Sequence, residues 1–225
     1  MTQRTDIVAP AAVLWDFDGT IVDTEPYWIR AETELIDEYG GTWSLEQAMQ
    51  LVGNDLIVSA EKIIEQTGMP LTPPEVVERL LDKIVAHIAR DIPWRPGARE
   101  LLADLRANGV KCGLVTMSYL RFVQPVIDAL PVGTFDCVVT GETVTDGKPH
   151  PEAYLVGARL LGADPAACVA IEDSPTGAAS ALAAGCRVVG VPLHVSVPER
   201  PGMVLVENLP DNAATLLAIA ARAHR

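Results

Sequence analysis

From Gly97 onward, helical and strand-like segments alternate with short connections, and this alternation limits the possible folds more than any other feature. Apolar residues recur at helical spacing in residues 98–108, 119–129, 151–161, 176–184 and 213–221. Short apolar runs between them predict strands at residues 111–116, 135–140, 168–171, 187–191 and 204–206. Such a series implies a parallel sheet with helices on both faces and right-handed crossovers. In sheets of this kind ligands bind beyond the carboxyl ends of the strands. Polar residues that end a strand are therefore the candidates for function.

The first strand ends in the most informative stretch. The apolar run 11–15 leads into Asp16-Phe17-Asp18-Gly19-Thr20. An acid at the end of a buried strand is costly unless a metal, a hydrogen-bond shell or a catalytic purpose offsets it. Two acids one residue apart on an extended chain point to opposite sides. They can face one site only where the chain bends, as Gly19 allows. A bare Asp-x-Asp is more often a solvated acidic turn, so its meaning depends on what the other strand ends bring.

No second strand is expected until residue 111; the interval is helical. Residues 26–39 carry Trp28, Ala31, Leu35, Ile36 and Tyr39 on one stripe and stop at Gly40. Residues 56–67 place Leu56, Ile57, Ala60, Ile63 and Ile64 at helical spacing before Gly68. A third helix opens with Thr72-Pro73-Pro74-Glu75, a capping box with proline in the first turn. Its stripe is Val76, Val77, Leu80, Leu81, Ile84 and Ile88. So long a helical interval after a first strand reads as an inserted module. The expected fold is α/β: a Rossmann-like parallel-sheet core of residues 1–21 and 95–225, with an all-helical cap of residues 22–94.

Three later stretches, each after a strand, add chemistry. Thr116 closes the second strand, and Ser118 suits the cap of the next helix. Taken singly, Thr116 reads as a turn residue, yet a hydroxyl and free N–H groups at a helix start also suit a phosphate oxygen. Lys148, in the turn-rich Asp146-Gly147-Lys148-Pro149-His150-Pro151, would alone read as a solvated loop lysine. Beside two acids and a phosphate it would supply a compact point charge. Ile171-Glu172-Asp173-Ser174 repeats the opening theme of a buried strand followed by acids, with an acidic helix cap as the plain alternative. Carboxylates converging at a sheet end repel unless a hard cation joins them. Mg²⁺ accepts carboxylates, phosphate oxygens and water, whereas Zn²⁺ would want nitrogen or sulfur.

Composition narrows the partners. Against 17 Lys and Arg stand 30 Asp and Glu, a net charge of −13, which argues against nucleic acid or an anionic membrane surface. An anionic substrate then requires a divalent cation and a well-placed lysine to reverse the field locally. The cysteines Cys112, Cys137, Cys168 and Cys186 show no C-x-x-C spacing and read as reduced core thiols of a cytoplasmic protein. No signal-like or membrane-spanning run is present. No coiled-coil heptads appear, and a monomer or weak dimer is expected.

Asp16-Phe17-Asp18-Gly19-Thr20, Thr116, Gly147-Lys148-Pro149 and Glu172-Asp173-Ser174 together resemble the four motifs of the haloacid dehalogenase (HAD) superfamily, in the expected order. The likeness spans nearly the whole chain. It implies a Mg²⁺-dependent phosphomonoesterase acting on small phosphorylated metabolites, sugar phosphates foremost. It also implies roles: Asp16 the nucleophile forming an aspartyl-phosphate, Asp18 the acid and base, Thr116 and Lys148 the holders of the phosphoryl group. Phe17, Met117 and Ser118 join the phosphate-binding set, and Trp28 is the substrate candidate from the cap. Asp16, Asp173 and the backbone carbonyl of Asp18 would ligate the metal, with Glu172 beside them. Asp18 speaks against the dehalogenases themselves, whose halide leaving group needs no proton.

Sugar phosphatases and beta-phosphoglucomutases are the near relatives by this resemblance, and a hexose-phosphate mutase is the alternative. Mutases of this kind typically carry a histidine early in the first cap helix, where this chain has Trp28, and a cap arginine after a glycine. Gly53-Asn54-Asp55-Leu56 offers none.

Overall fold

The computed structural model describes residues 10–51 and 55–224; Gly53 and Asn54, singled out above, lie outside the described residues. The strands are β1 (Ala12–Trp15), β2 (Lys111–Val115), β3 (Cys137–Val139), β4 (Cys168–Glu172), β5 (Arg187–Gly190) and β6 (Met203–Leu205). The helices are α1 (Glu25–Glu38), α2 (Leu45–Met49), α3 (Leu56–Thr67), α4 (Pro73–Ile88), α5 (Ala98–Ala107), α6 (Leu120–Asp128), α7 (Glu152–Leu160), α8 (Pro175–Ala183) and α9 (Ala213–Ala220). The chain forms two compact units. One comprises Met1–Val22, Trp94–Tyr119 and Leu130–Arg225, the other Asp23–Pro93 and Leu120–Ala129.

The first unit is a six-stranded sheet in the order β3-β2-β1-β4-β5-β6, parallel throughout. Strands β1 to β3 step outward in one direction and β4 to β6 in the other, so the order reverses between β1 and β4. Trp15 is in register with Leu114 on one side and Ile171 on the other, which brings three carboxyl ends level. Every side chain of β1 is inaccessible to solvent, as a central strand covered on both faces requires. Burial of each large apolar side chain there stabilises the fold by about 1.5–3 kcal/mol. Both faces being apolar, the carboxyl end is where this part of the sheet can carry charge.

The second unit is helical. The predicted stripe of α4 is buried in full, with His87 added, and Glu75 accepts from both the N–H and the hydroxyl of Thr72. In α1 the buried set is Ala31, Glu32, Leu35 and Ile36. Tyr39, placed on the stripe by periodicity, is exposed, with the Arg79 guanidinium over its ring. Glu32 lies inside because the Trp43 indole N–H donates to its Oε2 at 3.0 Å. Asp55 is engaged as the cap of α3, accepting from the N–H groups of Ile57 and Val58.

Most predicted elements stand within one or two residues of their expected ends. The short helix α2 was not foreseen, being too brief for periodicity, although Ser44 and Gln47 form a capping box at its start. Helix α6 groups with the helical unit, where Arg121 pairs with Glu78 and Asp82 of α4. Where the chain passes between units, its two segments run side by side. Val22 bridges Trp94 in antiparallel fashion, Arg95 N–H donates to Ile21 and Asp23 N–H to Pro93. The cysteines are free thiols; burial raises the pKa of each, Cys112 and Cys186 to about 12, which makes them inert. Among the described residues, no helix is long and apolar enough to cross a membrane.

Candidate active site

The site lies where the strand order reverses, at the carboxyl ends of β1, β2 and β4. Asp16 extends β1 by one residue, its N–H donating to the Ile171 carbonyl at 3.0 Å. The chain then bends sharply. The Phe17 carbonyl accepts from the N–H groups of Thr20, Ile21 and Val22, and Gly19 adopts a φ of +75°. This is the bend that the paired acids demanded, and it gives buried Phe17 a backbone role. Glycine at position 19 is also a matter of space: a Cβ there would stand 2.0 Å from Asp173 Oδ2. At the start of α8, a Cβ on Gly177 would stand 1.8 Å from Glu172 Oε1. Two glycines thus make room for Glu172, the last residue of β4, and for Asp173 after it.

Lys148 joins the acids. Its Nζ donates to Asp16 Oδ1 at 2.6 Å, to Glu172 Oε1 at 2.7 Å and to the Val115 carbonyl at 3.0 Å, so all three ammonium donors are used. The lysine side chain is only 6% exposed, which excludes the solvated-loop reading. Burial alone would lower its pKa, but the charges of Asp16 and Glu172 outweigh that and hold the amine protonated well above its ordinary range.

Two hydroxyls meet Asp18. Ser118 Oγ donates to Asp18 Oδ2 at 2.5 Å, and Thr116 Oγ1 lies 3.5 Å from the same oxygen. Thr116 also accepts the Ser118 N–H at 2.9 Å, which folds the turn after β2. Ser118, expected at the phosphate, is shown here with its hydroxyl on Asp18. Met117 packs its sulfur against the Lys148 N–H at 3.3 Å, bracing the lysine loop. Trp28 belongs to the helical unit, half-buried and edge-on to Phe122 with ring centroids 5.5 Å apart.

Sequence reasoning overlooked Tyr154. It is fully buried on α7, and its hydroxyl donates to Glu172 Oε1 at 2.6 Å. In sequence it reads as an ordinary core position of a helix. The one available signal is that a buried phenol needs a partner.

The electrostatics leave a deficit of positive charge. Among the described residues, four carboxylates, Asp16, Asp18, Glu172 and Asp173, gather around the Lys148 ammonium. Burial above all, then the charge of Glu172, pushes Asp16 up to about 7 against the pull of Lys148. Burial, then Asp16 and Glu172, pushes Asp173 up to about 9. One carboxylate oxygen from each of Asp16, Glu172 and Asp173 falls within 4.8 Å of the others. An all-oxygen donor set with excess negative charge fits a hard divalent cation and offers nothing that zinc would prefer.

Residues 13–191 match the haloacid dehalogenase-like hydrolase family. The chain belongs to that family, as a HAD-type phosphatase. It is 32% identical to hexitol phosphatase B of Escherichia coli strain K12 over 187 residues, covering 80% of this chain and 83% of that protein. Among solved structures it resembles CbbY from Rhodobacter sphaeroides in complex with phosphate, at 28% identity and a TM-score of 0.78, covering 88% of this chain and 94% of that one. It also resembles beta-phosphoglucomutase from Clostridium difficile, at 25% identity and a TM-score of 0.70, covering 82% of this chain and 86% of the other.

Proposed function

We infer that the chain is a Mg²⁺-dependent phosphomonoesterase for small phosphorylated metabolites, sugar phosphates foremost, and that it works through an aspartyl-phosphate on Asp16. The observation that carries this reading is Lys148 bridging Asp16 and Glu172 at 2.6 and 2.7 Å, next to a second acid on the same bend. Phosphoryl transfer asks mainly for positioning and neutralisation of charge, and this cluster offers both.

In the first step an Asp16 oxygen bonds to phosphorus as the bond to the leaving oxygen breaks, and Asp18 gives that oxygen a proton. In the second, Asp18 takes a proton from water, the water oxygen bonds to phosphorus, and Asp16 is released with inorganic phosphate. Ser118 orients Asp18 for both transfers through its 2.5 Å hydrogen bond. Lys148 keeps Asp16 in place and offsets charge on the transferring group, with Thr116 and the backbone around Phe17, Met117 and Ser118 completing its cradle. Asp16, Asp173 and the Asp18 carbonyl would hold Mg²⁺, with Glu172 beside them, and the ion would supply electrostatic stabilisation of the phosphoryl oxygens.

Residues 1–21 and 95–225 act in this reading as the catalytic core and 22–94 as the cap, in a cytoplasmic monomer or weak dimer. A sugar-type substrate is supported by relatives named as hexitol phosphatases.

Phosphate release from a panel of phosphorylated metabolites with Mg²⁺ tests the reading; release from none would overturn it. Incubation with beta-glucose 1-phosphate and a trace of glucose 1,6-bisphosphate tests the hydrolase half. Glucose 6-phosphate accumulating much faster than inorganic phosphate would make the enzyme a mutase.

A further inference from the structure

Tyr154 is inaccessible to solvent, and its hydroxyl donates to Glu172 Oε1 at 2.6 Å. Lys148 Nζ donates to the same oxygen at 2.7 Å and lies 5.1 Å from the centroid of the tyrosine ring. The other oxygen of Glu172 accepts from the Ser174 hydroxyl at 3.1 Å and from its N–H at 3.4 Å. A carboxylate offers about four lone-pair positions, and four N–H and O–H groups lie around this one. Gly177 closes behind it, leaving no room even for a Cβ.

This loading bears on Lys148. The ammonium is shared between two buried carboxylates, and the bond that matters for phosphoryl transfer is the one to Asp16. A phenol donating to Glu172 Oε1 satisfies part of that oxygen's charge and fixes its position. Glu172 then pulls less strongly on Lys148, and the ammonium stays within 2.6 Å of Asp16. Without the hydroxyl, Lys148 would be the only side-chain donor to Oε1 among the described residues, deep in a site where an under-satisfied charge is costly. The ammonium would move toward Glu172.

We propose that Tyr154 is a positioning residue for phosphoryl transfer: its hydroxyl pins Glu172 so that Lys148 remains on Asp16. The proposal rests on the phosphatase reading of Asp16 and Lys148 and extends it to a residue outside the four motifs.

Tyr154→Phe is the test, because it keeps the ring, its packing and the ammonium–ring contact and removes only the hydroxyl. The expected result is a fall in kcat of about tenfold or more with KM changed less than about threefold, the signature of an interaction that matters in the transition state. A crystal structure of the variant should show the Lys148–Asp16 contact lengthened beyond about 3.2 Å, the outer limit of a good hydrogen bond. A kcat within about twofold of wild type, or a KM that rises to account for the whole loss, would overturn the proposal. If wild type releases phosphate from no substrate, the phosphatase reading fails on its own; the variant's structure still decides the positioning role, since an unmoved Lys148 would refute it. If Tyr154→Phe does not fold, a crystal structure of the wild type with bound phosphate decides. A hydroxyl within about 3.0 Å of Glu172 supports the pinning, and one beyond about 3.5 Å rules it out.

Discussion

Lys148 Nζ and Asp16 Oδ1, 132 residues apart in the chain, meet at 2.6 Å inside the protein. Neither end of this pair would be stable alone. An unpaired buried ammonium or carboxylate costs several kcal/mol, so each accounts for the burial of the other. In the function proposed here the pair also carries the chemistry, with the carboxylate held by a fixed cation as the acceptor of the phosphoryl group.

Replacing that carboxylate should end catalysis. Asp16→Asn keeps the shape and an acceptor for Lys148 but cannot form an acyl phosphate. Its kcat for phosphate release should fall below about a hundredth of wild type, several kcal/mol of barrier, with the circular dichroism spectrum unchanged. Retention of more than that would sink the nucleophile assignment.

Removing the cation should affect stability as well as activity. Lys148→Met leaves Asp16 and Glu172 facing one another without compensation. The variant should be inactive and, in chelator, less stable to urea by about 3–5 kcal/mol, the usual consequence of breaking a buried ion pair from one side. A midpoint equal to wild type would show that the acids find another counter-charge.

The cluster's negative charge predicts dependence on a hard divalent ion. Chelation should silence phosphate release, Mg²⁺ should restore it, and Ca²⁺ should restore it poorly because its shell is larger and looser. Full activity after exhaustive chelation would remove the Asp16–Asp173 metal site from the account.

Glu32 makes a separate prediction in the helical unit. Burial first pushes its carboxyl from the ordinary 4.5 up to about 8; the Trp43 hydrogen bond opposes this and the charge of Glu25 adds to it. An acid with a raised pKa binds its proton more tightly when folded than when unfolded. Its contribution is therefore full below the ordinary value and is lost as pH rises toward and through about 8. Glu32→Gln keeps an acceptor for Trp43 and cannot ionise. Between pH 5 and 9, the loss of urea stability should be smaller in the variant than in wild type, on the order of a kcal/mol or more. Parallel curves would mean that Glu32 is not the group responsible.

The sequence by itself determined the order of strands and helices, the helical interval and which strand ends carry acids. These depend on local periodicity and on turn residues, which adjacent side chains and backbone set. It also placed Asp16, Thr116, Glu172 and Asp173 in one candidate site, because parallel strands with short connections bring their carboxyl ends together, while Asp18 and Lys148 joined them through the resemblance to the family's motifs. Only the tertiary structure decided what those residues touch. The Ser118 hydroxyl meets Asp18 across 100 positions and the Tyr154 phenol meets Glu172 across 18, and no local pattern encodes either pairing. Periodicity likewise placed Tyr39 in the core and passed over Glu32. A helical stripe records which residues are apolar, whereas burial depends on what another segment brings against the helix, here the Trp43 indole that gives Glu32 a partner.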